Sequence, residues 1–136
     1  MMQRSEALRE AVLRFYDRFS ANDVGSFGSI VSVEAMVFIG TAPGEWFTNS
    51  DQLRRGFAAE GARIEPGDPQ AWEEGTVGLV ADEPTLHFPD VGPIRARLTG
   101  IFRREDACWK LVSTHLSVGV PDEDVAALQR RGTDGI

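Results

Sequence analysis

Cysteine is almost missing from this chain: Cys108 stands alone among 136 residues, so no intrachain disulfide and no cysteine-based zinc site can form. That usage fits a reducing compartment. Histidine is nearly as scarce, and His87 and His115 share no HxH or HxxxH spacing of the kind that gathers a metal ion. Basic residues are outnumbered 14 to 21, giving a net charge of -7, and only Arg54-Arg55, Arg103-Arg104 and Arg130-Arg131 cluster even in pairs. Such a balance works against neutralising a phosphate backbone and mildly disfavours an anionic membrane surface. The opening "MMQRSEALRE" lacks the apolar stretch of a signal peptide, and no run approaches membrane-spanning length. A cytoplasmic location follows as the expectation. Repeats, low-complexity tracts and linkers are also missing, so a single domain over 1–136 is expected, with no cofactor and no metal implied.

What is present has the composition of a globular protein, 42% hydrophobic and 26% charged. Leu8, Val12, Phe15 and Phe19 recur at spacings of four, three and four, one stripe of a helix. Asp23 can cap a short second helix whose Val24, Phe27 and Ile30 or Val31 share a side. "VEAMVFI", Val33 to Ile39, reads as a buried strand ended by Gly40. After the loop "GTAPGEWFTNS", Asn49 or Ser50 can cap a third helix carrying Leu53 and Phe57, with Gly61 as a left-handed terminator. The period then shortens: "TVGLVA", "TLHF", "PIRARLTGIFRR" and "ACWKLVSTHLSVGV" are divided by turn formers, as antiparallel strands of a meander would be. In "PDEDVAALQRRG" the acids come first, the arginines last and Gly132 just beyond, which suits a short C-terminal helix.

The last two long strands define two faces. With Glu105-Asp106 as a two-residue turn, Phe102 lies opposite Trp109, Gly100 opposite Leu111, Leu98 opposite Ser113, Ala96 opposite His115 and Ile94 opposite Ser117. Ile94, Ala96, Leu98, Phe102, Trp109 and Leu111 then share the face that packs inward. On this register Ser113, His115 and Ser117 also point to the interior, at the end away from the turn, where a curved sheet would leave a tapering cavity.

The order helix, short helix, strand, helix, long meander, closing on "CWKLVSTHLSVGVP", resembles the NTF2-like superfamily, and within it the SnoaL-like group, which includes DUF4440-type proteins. The segments that carry the resemblance are "LRFYDRFSAND", "VFIGTAPGEWF" and "RLTGIFRREDACWKLVSTHLSVGVP". It implies an α+β cone, a curved antiparallel β-sheet wrapped around N-terminal helices, with a pocket between helices and sheet and a homodimer built through the outer sheet face. The family's members include isomerase-, cyclase- and dehydratase-like enzymes, association domains and proteins without known activity, so the fold leaves function open.

Several residues are singled out. His115, at the family's His-x-Ser position, is either an acid/base in an apolar pocket or a neutral core histidine bonded to Ser113, Tyr16 or a backbone carbonyl. Ser113 and Ser117 flank it on one face as ligand contacts. Trp46 either closes the pocket over a planar ligand or packs beneath its loop, with Glu45 beside it near the mouth. Tyr16 either presents its hydroxyl to the cavity or satisfies a backbone group. Arg97 faces outward, available to a dimer contact, and Cys108 is inert. The expected function is binding of a small apolar or aromatic molecule by a homodimer, with an isomerase, cyclase or dehydratase using His115, or an association module, as the alternatives.

Overall fold

A computed structural model describes residues 1–21, 27–58 and 61–134, and within them ten strands and four helices. Ser5 starts the first helix, α1 (Glu6–Ser20), by accepting the backbone N–H of Leu8 on its Oγ, and the same hydroxyl donates to Glu73 at 2.5 Å. One side chain thus caps the helix and ties it to the sheet. The stripe read from the sequence is buried as expected, and Tyr16 joins Leu8, Val12, Phe15 and Phe19 within it. A single turn, α2 (Phe27–Ile30), follows; the proposed cap at Asp23 and Val24 lie outside the described residues.

The strand expected from Val33 is shorter than its composition suggests. Val33 is exposed, and β2 comprises only Val37–Ile39. Strand β1 (Gln3–Arg4) precedes α1, and Trp46–Phe47 forms β3 inside what reads as loop. Helix α3 (Ser50–Ala58) is capped by Asn49, whose Oδ1 accepts the N–H of Gln52 at 2.8 Å, and it buries Leu53 completely. Strands β4 (Arg63–Glu65) and β5 (Gln70–Glu74) were not signalled by the local pattern. Then come β6 (Val77–Asp82), β7 (Thr85–Phe88), β8 (Val91–Arg95), β9 (Arg97–Glu105) and β10 (Cys108–Ser117). "PIRARLTGIFRR" is therefore two strands in two sheets, broken at Ala96.

Seven strands form one sheet in the order β1-β5-β6-β9-β10-β2-β3, and β4-β7-β8 form a second. Among the named strands the pairings are antiparallel except that of β10 with β2, and an isolated bridge from Val31 to Leu111 is also parallel. The architecture is α+β, a curved and mostly antiparallel sheet wrapped around α1. The core lies between α1 and the inner face of the large sheet, where Val80, Leu98, Phe102 and Leu111 are buried.

Two details of the β9–β10 hairpin overturn the expected register. Its turn residues are Asp106 and Ala107, both left-handed with φ of 51° and 64°, so Glu105 pairs with Cys108 and Phe102 with Leu111. This shift of two keeps every side chain on its expected face. Past Leu111 the ladder slips once more: Ser113 pairs with Ile101, leaving Val112 as a β-bulge. One extra residue reverses the facing of everything beyond it. Thr114 and Leu116 turn into the core, whereas His115 pairs with Thr99, not Ala96, and is exposed on the outer face.

The C-terminal helix α4 (Asp122–Asp134) is longer than expected and continues through Gly132. No helix among the described residues is long and apolar enough to cross a membrane.

Candidate functional site

A polar cluster lies between α1 and the sheet. Tyr16, 1% exposed, reaches across from α1 and donates its hydroxyl to Oδ2 of Asp82 at 2.8 Å. Asp82 also accepts backbone N–H groups from Gly67 (3.3 Å), Asp68 (2.9 Å) and Glu83 (2.8 Å). Four donors thus converge on one carboxylate. The tyrosine is pushed far above its ordinary range, first by burial and then by the charge and hydrogen bond of Asp82. The phenol stays protonated, and its partner is occupied by donors that hold the β4–β5 loop against β6. Gly67 fits there because a side chain would strike the Glu83 carbonyl at 2.6 Å. Tyr16 therefore meets a carboxylate, not a cavity or a backbone group. Asp82, which reads as a turn residue in Asp-Glu-Pro, is the acid that sequence reasoning missed; its signal is the spacing of two that aligns it with Gly78 and Val80 on one face of β6.

The other expected site residues do not meet Tyr16. Ser113, His115 and Ser117 share the outer face, and Trp46, 61% exposed, stands on the same face through its pairing with Ile39. Two lateral rows cross this face. One runs Trp72, Leu79, Ile101, Ser113, Val37; the other runs Gln70, Ala81, Thr99, His115, Ile39, Trp46. The inward placement expected for the histidine and its two serines is thus corrected by the bulge at Val112. Arg97 lies outward as anticipated, its guanidinium against Gly119. His87 belongs to the small sheet, where its Nε2 meets Glu65 at 3.0 Å and holds that carboxyl below the usual range by hydrogen bond and charge.

At the open end of the sheet, where a pocket is expected, Phe19, Ile64, Leu86, Phe88 and Leu116 enclose about 20 Å³. That is room for about one water molecule. Glu45 reaches this rim as anticipated but turns back to accept the N–H of Ala42 at 3.0 Å, closing its own loop.

A larger concavity lies elsewhere. Between α1, α2 and the tip of the β9–β10 hairpin is a groove of about 570 Å³. Ala7, Ala11, Arg14 and Arg18 line it from one stripe of α1, adjacent to the stripe that enters the core. Phe15, Phe102 and Trp109 form its apolar wall, and Arg104 stacks on Trp109 with its guanidinium carbon 4.9 Å from the ring centre. Its size falls within the range of small-molecule sites, about 300–1,000 Å³.

Residues 8–121 match the family model described as a SnoaL-like domain. The chain belongs to the SnoaL-like family. Solved structures agree in fold. An uncharacterised protein with a cystatin-like fold from Caulobacter vibrioides superposes with a TM-score of 0.73 at 14% identity, covering 93% of this chain and 96% of that one. An NTF2-like protein of unknown function from Pseudomonas putida gives 0.72 at 14% identity over 86% and 87%. A proposed dehydratase of the NTF2-like family from Streptomyces avermitilis gives 0.70 at 18% identity over 85% and 96%. No curated protein matches the chain. The SnoaL-like match ends at 121, so α4 lies outside the matched residues.

Proposed function

We propose that this SnoaL-like protein binds a small, largely apolar molecule in the groove between α1 and the β9–β10 hairpin, without acid/base chemistry at His115. The observation that carries this reading is the contrast in free space: about 570 Å³ in the groove against about 20 Å³ at the open end of the sheet. The groove also presents aromatic rings beside charged side chains that could orient a ligand. Filling it should remove binding. In a thermal-shift screen of small aromatic and aliphatic compounds, Ala11→Trp, which occupies the groove, should abolish stabilisation that Ala62→Trp at the open end leaves intact. If hits survive Ala11→Trp and vanish with Ala62→Trp, the site lies at the open end and the reading fails.

The outer sheet face supports a second, compatible element. Leu79, Ile101 and Trp46 are exposed on it within continuous rows that also hold Trp72, Val37 and Ile39. An apolar band of this extent on the outer face of the sheet suits a self-complementary partner. We read it as the homodimer surface, with His115 and Thr99 in its polar part.

A further inference from the structure

We propose that the ligand of the α1–hairpin groove is an amphipathic carboxylate, its hydrocarbon part against Phe15, Phe102 and Trp109 and its anionic head held by Arg14 and Arg18. This rests on the reading that the groove binds a small molecule, and it adds the ligand's charge. The chain carries a net charge of -7, yet four cationic side chains line this groove, Arg14, Arg18, Arg104 and Lys110, against two carboxylates, Glu10 and Glu73.

The four cations are not equivalent. Arg104 is committed: it stacks on Trp109 and donates to the Gly75 carbonyl at 3.2 Å and to Glu73 at 3.5 Å. Glu73 in turn accepts Ser5, so both of its oxygens are engaged. Arg18 donates to Ser29 Oγ at 3.2 Å, and Lys110 donates to the Ser29 carbonyl, both neutral acceptors. Among the described residues no carboxylate lies within ion-pair distance of Arg14, Arg18 or Lys110. Arg14 and Arg18 stand four apart on α1, and so one above the other on the wall of the groove. Two arginines one helical turn apart, beside an aromatic wall in which Trp109 is the most accessible ring, are complementary to a carboxylate on a short apolar chain. A bare phosphate would leave that wall uncovered, and a neutral molecule would leave the cations uncompensated.

Isothermal titration calorimetry on the full chain tests this with 4-phenylbutyrate, its neutral amide 4-phenylbutanamide, and inorganic phosphate. The acid should bind at least about tenfold more tightly than the amide, as expected for a hydrogen-bonded charge. Arg14→Gln and Arg18→Gln should each remove most of that difference, and raised salt should shrink it. Arg14 is exposed, so its substitution leaves the fold intact. Equal binding of acid and amide would overturn the carboxylate assignment while leaving small-molecule binding in place. Phosphate binding as tightly as the acid would overturn the amphipathic assignment. If neither organic probe binds at millimolar concentration, the groove reading itself falls. Groove resonances that move with protein concentration and not with added acid would show a second copy in the groove and overturn the proposal.

Discussion

The hydroxyl of Tyr16 and the carboxylate of Asp82 meet at 2.8 Å between helix and sheet, and three backbone N–H groups complete the shell of that carboxylate. A phenol and an acid that satisfy one another in this way form a structural clamp. Both are spent before any ligand arrives.

The clamp predicts alkaline sensitivity. An unfolded tyrosine ionises near pH 10, whereas the folded one is held protonated by burial and by Asp82. The folded state therefore keeps a proton that the unfolded state loses, and stability falls as pH rises beyond about 10. Tyr16 is the chain's single tyrosine, so absorbance at 295 nm reports it alone. Tyrosinate should appear together with loss of the far-ultraviolet circular dichroism signal; a smooth titration near pH 10 with the fold intact would contradict the clamp.

Removing either partner should have unequal effects. Asp82→Ala strands a buried phenol and should cost about 2–4 kcal/mol in urea denaturation. Tyr16→Phe leaves Asp82 three donors and should cost about 1 kcal/mol. A double-mutant cycle should return a coupling of about 1 kcal/mol or more; additive effects would dissolve the pair as an energetic unit.

The hairpin turn offers a stabilising change. Ala107 sits at φ 64°, where an L side chain is strained by about 1 kcal/mol and glycine is not. Ala107→Gly creates the Asp-Gly sequence favoured in two-residue turns and should raise the denaturant midpoint with an unchanged slope. A lower midpoint would mean that the turn is held by something other than its own backbone preference.

The proposed dimer surface is tested by one charge. Ile101, 47% exposed, lies at the centre of its row between Leu79 and Ser113. Ile101→Lys should convert a dimer to monomer in analytical ultracentrifugation while preserving the circular dichroism spectrum. A wild-type chain that sediments as a monomer at tens of micromolar would remove the outer face as a self-association surface.

Much of this was legible in the residues. The apolar stripe of α1, the Asn49 cap and the inward set Leu98, Phe102, Leu111 follow from periodicity and side-chain chemistry. What misled was position 112. Leu111 and Leu116 are separated by an odd number, so a regular strand cannot bury both; yet both are buried, and the bulge reconciles them. Ser113, Thr114 and His115 are all polar and conceal which parity holds. Strands β1, β3 and β4 contain two or three residues, too short for alternation to register. The groove was hidden for another reason: its walls come from the flank of α1 and a distant hairpin tip, which only the assembled tertiary structure brings together.

Val112 has one further consequence. Deleting that single codon would restore a regular ladder in which Ser113 still lies opposite Ile101 and His115 opposite Thr99, so Thr114 and Leu116 stay inside and the imidazole stays outside. The bulge thus absorbs one residue of length in this strand without changing which of its side chains reach the interior.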